Sequence, residues 1–477
     1  MNSIFWHDYE TFGGDPRKDR ACQFAGIRTD EDLNIIDDPV AIYCRPAPDF
    51  LPDPYSCAIT GISPQQALAK GVSEAEFCAR IASELMQPGT CTAGYNSIRF
   101  DDEVTRHLLY RCFYDPYERE WKNGNSRWDI IDLLRMTHAL RPEGIVWPAQ
   151  EDGSPSFRLQ ELTRVNGIEH EHAHDALADV HATIAMARLV KQKQPKLYEF
   201  VYNLRNKNRV LPLLDLGKQE PLVHASRMFA SQRGCLAIVL PLIQHPRNVN
   251  GIVVADLLSD PAIWMDLSAD ELRTRLYTRT EYLAEGQARI PLKTIHINRC
   301  PAVAPISVLT DTVKKLYALD MDAIYRHRQQ LLSVKELARK ISEIFNDVPA
   351  DGAGGDPDLM LYGGSFFDSH DKRVMEKIRT TRPEQLSTFH TQFHDKRLTE
   401  MLFRYRARNY PEMLSAEENQ RWLEFCRRRL SGELPGAGVS HAVFEANLLG
   451  AAPGMPEALV SELRSYAANL YQQLQLD

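Results

Sequence analysis

The chain has 477 residues, and its 56 lysines and arginines against 64 aspartates and glutamates give a formal net charge of −8 at pH 7. Hydrophobic residues make up 44% and charged residues 25%, which is the balance of a soluble globular protein and argues against a disordered, collagen-like or coiled-coil chain. At roughly 100–200 residues per domain, the length predicts several domains. The acidic charge, taken alone, argues against a polyanionic partner.

Neither a membrane span nor an export signal is predicted. The longest apolar run, over 235–243, is interrupted by Pro241 and is far shorter than the ~20 residues that cross a bilayer. Asp8 and Glu10 lie where a secretory signal would need its apolar stretch, so we expect a cytoplasmic protein without membrane contact. The nine cysteines are scattered without a CxxC pair, which predicts reduced thiols rather than a disulfide framework or a structural zinc site.

The first 190 residues predict an α/β domain. Three runs rich in β-branched and aromatic residues are separated by short turn-forming stretches, which favours an antiparallel meander. Phe77, Ile81 and Leu85 recur at helical spacing, and a further strand and a helix starting near residue 101 or 102 follow them. Pro195 marks the end of the domain. We predict its strands at 3–9, 22–28, 35–44 and 91–95, and two later helices at 157–165 and 176–190.

The rest of the chain changes from strand-like to helical patterns. Runs at 236–240, 251–257 and 294–298 predict a β-rich middle section. A glycine-rich stretch at 348–357 is the best linker candidate, and long helical patterns such as 418–430 and 456–474 follow it. We therefore predict three domains, over 1–195, 196–350 and 351–477.

The string HDYETFG, at the end of the first strand, carries the first candidate site residues. Side chains two apart on a strand point to the same face, so we expect Asp8 and Glu10 to project together, with Tyr9 opposite. Two adjacent carboxylates repel each other unless a cation lies between them, and Mg²⁺ prefers oxygen ligands of this kind. The alternative is a solvated acidic strand end.

Two further segments supply carboxylates and a histidine. NSIRFDD places Asp101 at a helix start, where it is either a site residue or an N-cap. In HDALAD, Asp175 is the expected N-cap, Asp179 lies one turn inside the helix, and His174 stands on the preceding loop. Asp179 could instead lie on the solvated face of that helix. Histidines alternate at 170, 172 and 174, but no nearby cysteine completes a zinc pattern.

The order Asp-x-Glu, Asp, His-x4-Asp resembles the DEDDh class of 3′→5′ exonucleases, which have an RNase H-like fold. Further strings extend the resemblance to bacterial exonuclease I, a family of single-strand DNA exonucleases, over nearly the whole chain. The resemblance is most specific up to about residue 190 and weakest over the last 60 residues. The strings include GYNSIRFDDEVTR, SRWD, ALRPEG, PSFRL, NGIEH, AHDALADV, HINRCP and FRYRARN.

The resemblance implies both a fold and a chemistry. The fold is an α/β RNase H-like exonuclease domain, then a β-rich SH3-like domain, then an α-helical C-terminal domain. In the implied chemistry, four carboxylates hold two Mg²⁺ ions, for which Mn²⁺ can substitute, and His174 is the general base of a two-metal hydrolysis. The implied metal ligands are Asp8, Glu10, Asp101 and Asp179.

Contacts with a DNA strand are indicated beyond the catalytic residues. Arg158, in PSFRL, matches a family position that contacts the substrate nucleotide, where a guanidinium suits a phosphate; the alternative is a surface arginine packed on a helix. Glu10, Thr11 and Phe12 are expected at the terminal nucleotide. The string at 404–410, RYRARNY, interleaves basic and aromatic residues as DNA-binding surfaces do. Other positions expected along the strand are Arg106, Tyr117, Trp121, Arg135, Lys207, Lys293, His296 and Asn298.

The predicted function is Mg²⁺-dependent, processive 3′→5′ digestion of single-stranded DNA to 5′-mononucleotides in DNA repair and recombination. We expect a cytoplasmic, nucleoid-associated monomer. The resemblance also implies the acidic C-terminal tail of single-strand DNA-binding protein as a partner. Arg141 matches one position of that pocket, whereas Glu220 and Thr310 fall where basic residues would be expected.

Two alternatives stay open on the sequence. One is an RNA-trimming exonuclease, because the catalytic residues alone do not read the sugar. The other is a non-catalytic nucleic-acid-binding protein, although intact, mutually repelling carboxylates argue against it. The net charge does not decide among them, since it averages over the local clusters that a nucleic acid would meet.

Overall fold

The chain forms two compact units, and each unit is built from more than one segment of the chain. A computed structural model describes residues 2–170, 175–346, 355–434 and 438–476. The first unit comprises 1–126, 170–184 and 350–477, and the second comprises 127–169 and 185–349. Within the described ranges, every helix is too short or too polar to cross a membrane.

Strand β1 (Ser3–Thr11) is central to the sheet of the first unit. It pairs antiparallel with β2 (Ala21–Thr29) and parallel with β4 (Thr90–Gly94), while β3 (Val40–Tyr43) pairs antiparallel with β2. The predicted meander is confirmed. β3 is shorter than predicted because two aspartates and Pro39 precede it, and these residue types are disfavoured inside strands.

Helices surround this sheet and bury their apolar faces. Phe77, Ile81 and Leu85 are fully buried on one face of a helix, as their spacing predicts, and Ser73 caps its start by accepting from the backbone N–H of Glu76. The helices of the first unit are α1 (Pro54–Thr60), α2 (Pro64–Lys70), α3 (Glu74–Leu85), α4 (Asp101–Arg111), α14 (Ser369–Thr380), α15 (Lys396–Asn409), α16 (Ala416–Leu430), α17 (His441–Ala451) and α18 (Glu457–Leu474).

The second unit contains an antiparallel five-stranded sheet formed by β6 (Leu222–Ala225), β7 (Leu236–Gln244), β8 (Gly251–Asp256), β9 (Leu292–His296) and β10 (Ala302–Pro305). Its strand order is β10-β6-β7-β8-β9. Its apolar side chains, among them Val239 and Val254, form a buried core of their own. Helix α7 (Ala176–Lys193) starts in the first unit and continues into the second. Strand β5 (Ser126–Asp129) starts at the division between the units and is not part of this sheet. The helices are α5 (Ile130–Leu140), α6 (Leu159–Val165), α8 (Pro195–Asn203), α9 (Lys207–Val210), α10 (Ala269–Tyr277), α11 (Asp311–Leu316), α12 (Met321–Ser333) and α13 (Leu337–Asn346).

A buried group of ion pairs joins early and late segments of the first unit. Asp49 has no exposed side-chain area and lies 2.8 Å from Arg408, while Asp356 pairs with both Arg404 and Arg429. We call these five residues the Asp49 cluster. Burial alone would raise the pKa of Asp49, but Arg408 and its neighbouring arginines outweigh burial and hold that pKa below the ordinary range.

The RYRARNY string lies in this interior rather than on a DNA-binding face. Arg404 and Arg408 belong to the Asp49 cluster, and Arg406 pairs with Glu418. All three arginine side chains are at most 8% exposed. Tyr405 is buried in the core. The hypothesis that this string binds DNA is therefore wrong, because its charges are already neutralised by carboxylates inside the protein.

Asp49→Asn is expected to lower the free energy of unfolding by about 3–5 kcal/mol, since it removes a buried carboxylate that Arg408, Arg20 and Arg429 share. The folded-state pKa of Asp49 is depressed, so its stabilisation is present above the unfolded value near 3.9 and is lost as pH falls through the folded value. Urea unfolding should therefore give a constant deficit between about pH 5 and 8 that shrinks only at lower pH. The exposed Asp38→Asn is the matched control, and a deficit that disappears already at about pH 6 would contradict this assignment.

Candidate active site

Strand β1 presents two carboxylates on one face. Asp8 lies opposite Ala25 and Glu10 opposite Gln23 in the pairing with β2. The expected shared face is confirmed, because ligand oxygens of Asp8, Glu10 and Asp179 all lie within 4.8 Å of one another. Tyr9 packs on the other side against Phe24, with ring centroids 4.8 Å apart.

Asp101 adds a fourth carboxylate next to this group. It is the first residue of α4 rather than its N-cap, and its side chain accepts a hydrogen bond of 3.1 Å from the backbone N–H of Tyr9. Burial, and then the charges of Asp101 and Glu10, raise the pKa of Asp8 well above its usual range. Burial, and then the charges of Asp179 and Asp101, raise the pKa of Glu10 to about 9. The four predicted ligands are thus mutually repelling neighbours in the fold.

The start of α7 carries the last of these carboxylates. Asp175 caps the helix as predicted, since its side chain accepts from the backbone N–H groups of Leu177 and Ala178. Asp179 follows one turn later and is also contacted by the imidazole of His170. His174, the predicted general base, lies outside the described residues.

This donor set fits a hard divalent cation. Each of Asp8, Glu10 and Asp179 offers carboxylate oxygen, which Mg²⁺ and related ions prefer to nitrogen or sulfur ligands. The raised pKa values of Asp8 and Glu10 reflect burial and then repulsion by the neighbouring carboxylates, and a bound cation removes that repulsion. The cluster can therefore hold a divalent metal ion.

Family models match three consecutive parts of the chain. They are described as Exonuclease over residues 5–187, Exonuclease I SH3-like domain over 205–347 and Exonuclease I C-terminal domain over 355–470. The chain is similar to exodeoxyribonuclease I of Escherichia coli (strain K12), at 46% identity over 440 residues that make up 91% of each protein.

The chain belongs to the exonuclease I family.

Solved structures of this exonuclease family agree with that assignment. The exonuclease I of Methylocaldum szegediense matches with a TM-score of 0.94 at 50% identity, covering 98% of this chain and 100% of that one. E. coli exonuclease I in complex with a dA16 oligonucleotide matches with a TM-score of 0.94 at 42% identity and the same coverage. The predicted order of exonuclease, SH3-like and helical C-terminal domains is confirmed, and the chain is a nuclease. The exact boundaries near 195 and 350 stay predictions.

Substrate contacts predicted in the first unit differ in accessibility. Trp121 is 65% exposed, which suits a stacking platform for a base. Thr11 and Phe12 are buried. The Thr11 hydroxyl donates a hydrogen bond of 2.7 Å to the carbonyl of Gly13, and the Phe12 ring lies in the apolar core. Arg106 is buried between carboxylates, and the rings of Tyr117 and Phe366 meet edge to face.

In the second unit, the predicted contacts cluster around β9. His296 is half-buried, and burial, followed by the charges of Arg299, His245 and Lys293, lowers its pKa to about 4. His296 is therefore neutral at pH 7 and lies among cations. The Lys293 ammonium lies 2.8 Å from His224 Nε2, and Asn298 is exposed.

The remaining predicted positions have contrasting surroundings. The Arg158 side chain, at the start of α6, is 80% exposed, so it is not packed on that helix. Its guanidinium Nη1 lies 3.4 Å from Oε1 of Glu161. Arg135 is buried beside Asp132 at 2.6 Å, and Lys207 is exposed. Arg141 donates to the carbonyl of Val308 at 3.0 Å.

His170 is the site residue that the sequence analysis missed. The alternating histidines drew attention only to zinc, and no periodicity or spacing relates position 170 to Asp179. Its place next to that carboxylate is visible only in the fold.

Proposed function

We propose that this chain is a divalent-metal-dependent 3′→5′ exodeoxyribonuclease that digests single-stranded DNA to 5′-mononucleotides. The observation that carries the proposal is the carboxylate cluster, in which oxygens of Asp8, Glu10 and Asp179 lie within 4.8 Å of one another beside Asp101. The E. coli relative crystallised with a dA16 oligonucleotide supports single-stranded DNA as the substrate. Mg²⁺ is the proposed physiological ion, and two ions are the proposed stoichiometry.

The residues of this chain divide the chemistry among them. Asp8, Glu10, Asp101 and Asp179 hold the metal ions, which when bound supply Lewis acidity for water activation and for the leaving 3′-oxygen. His174 is the proposed general base, which accepts the proton of the attacking water. The exposed guanidinium of Arg158 contacts the nucleotide phosphate.

Contacts outside the metal site bind the rest of the strand. Trp121 offers an exposed aromatic face in the first unit. In the second unit, the cations around His296 supply local positive charge to a protein that is acidic overall. Processive digestion, a role in DNA repair, a monomeric state and binding of the single-strand DNA-binding protein tail stay predictions.

One assay tests the proposed function. The full chain is incubated with 5′-labelled single-stranded DNA, duplex DNA and RNA of one sequence, in Mg²⁺ with and without chelator. We expect a ladder of products shortened from the 3′ end on single-stranded DNA alone, and its loss with chelator. Cleavage that persists in chelator or starts at internal positions would contradict the proposal, and equal digestion of RNA would establish the RNA-trimming alternative.

A further inference from the structure

The imidazole of His170 contacts a proposed metal ligand. Its Nε2 lies 2.5 Å from Oδ1 of Asp179. The His170 side chain is only 4% exposed and that of Asp179 is 18% exposed, so water competes little for this hydrogen bond. The two residues lie nine positions apart, with His170 before α7 and Asp179 in its first turns.

Asp179 needs more support than its partners on the strand. Asp8 and Glu10 are carried by β1, and the pairing of that strand with β2 fixes the backbone at both residues. Asp179 reaches the cluster from a helix that begins only three residues earlier, at Ala176. The terminal side-chain torsion of aspartate takes a broad range of values, so the helix alone does not set the plane of the carboxylate.

A hydrogen bond at one carboxylate oxygen sets that plane. We infer that His170 is a positioning residue, which donates from Nε2 to Oδ1 of Asp179 and so orients this carboxylate for metal binding. The inference rests on the proposed function, because it requires Asp179 to be a metal ligand. Residues that orient ligands in this way typically contribute roughly 10- to 100-fold to metal affinity.

Metal binding without substrate tests the inference independently of turnover. Mn²⁺ binding to the full chain is measured by the loss of the electron paramagnetic resonance signal of the free ion. His170→Met removes the donor and is expected to weaken binding by roughly 10- to 100-fold. His170→Gln keeps an N–H donor on a side chain of similar length and is expected to retain most of the affinity.

Two controls separate this inference from the metal site itself. His181→Met changes an exposed histidine on α7, the helix that carries Asp179, and is expected to bind Mn²⁺ like wild type. Asp179→Asn removes the ligand. If Asp179→Asn also bound Mn²⁺ like wild type, the metal-site proposal would fail; if it lost binding while His170→Met did not, only the positioning role would fail.

A measurement on the wild-type protein covers the case in which His170→Met does not fold. Nitrogen-15 spectra of the imidazole rings in the metal-free protein at mildly alkaline pH identify the protonated nitrogen, with the His170 signal assigned by its loss in His170→Gln. The inference requires the Nε2–H tautomer. An Nδ1–H tautomer, or a Gln variant that binds Mn²⁺ as weakly as the Met variant, would overturn it.

Discussion

Asp8→Asn and Asp179→Asn are each expected to lower the rate of 3′-nucleotide release from single-stranded DNA by ~10³-fold or more. In metal-dependent hydrolases the bound ions typically supply several kcal/mol of stabilisation to the charge that develops on the reacting oxygens, and each ~1.4 kcal/mol is a factor of ten. An amide keeps the shape of the carboxylate but loses its charge. Single-turnover release of a 3′-labelled nucleotide in Mg²⁺ measures the effect on the chemical step.

The affinity for DNA, unlike the rate of nucleotide release, should not fall in these two variants. The carboxylates repel phosphates, so their loss is expected to leave the affinity for a single-stranded oligonucleotide unchanged or higher in the absence of metal. Asp38→Asn, at an exposed position outside the cluster, is the matched control and should keep wild-type turnover. Near-wild-type turnover by Asp179→Asn with Mg²⁺ would show that the site is assigned wrongly.

His174→Ala is the second change with a large expected effect. General base catalysis typically contributes about 10²–10⁴-fold, so we expect a loss of that size in the rate of the chemical step. Mn²⁺ affinity should be unchanged, because His174 is proposed to move a proton rather than to bind metal. The two quantities are measured on the same preparation, by single-turnover cleavage and by the resonance signal of free Mn²⁺.

The matched control for this change is His181→Ala, which removes an exposed histidine from the neighbouring helix and should keep wild-type turnover. Added imidazole is expected to restore part of the lost activity of His174→Ala, because a free base can then accept the proton. Loss of Mn²⁺ binding in step with turnover would instead make His174 a metal ligand.

Local pattern was enough to predict much of the fold and the centre of the site. The two-residue period of β1 placed Asp8 and Glu10 on one face, and the helical spacing of Phe77, Ile81 and Leu85 located a buried helix face. These features depend on neighbours in sequence. For that reason they could be predicted without knowing which elements pack together.

Features that depend on distant partners could not be predicted in this way. Arg404 and Arg408 looked like a DNA-binding string because their carboxylate partners, such as Asp49, lie hundreds of residues away or in another segment. His170 was overlooked for a different reason, because Asp179 lies only nine positions later but no periodic pattern links the two residues. In both cases a charge or a ring was visible in the sequence, but the contact that it makes was not.

The Asp49 cluster has a consequence for how the protein is made. Asp49 emerges from the ribosome early, whereas Arg408 follows 359 residues later and Arg429 later still. A nascent chain therefore carries an aspartate that must stay hydrated until its guanidinium partners arrive, since burying it alone would be costly. The Asp49 cluster can therefore reach its final form only after Arg408 and Arg429 have been translated. Order of translation thus delays the completion of the first unit, which also carries the cluster at Asp8, until α15 and α16 exist.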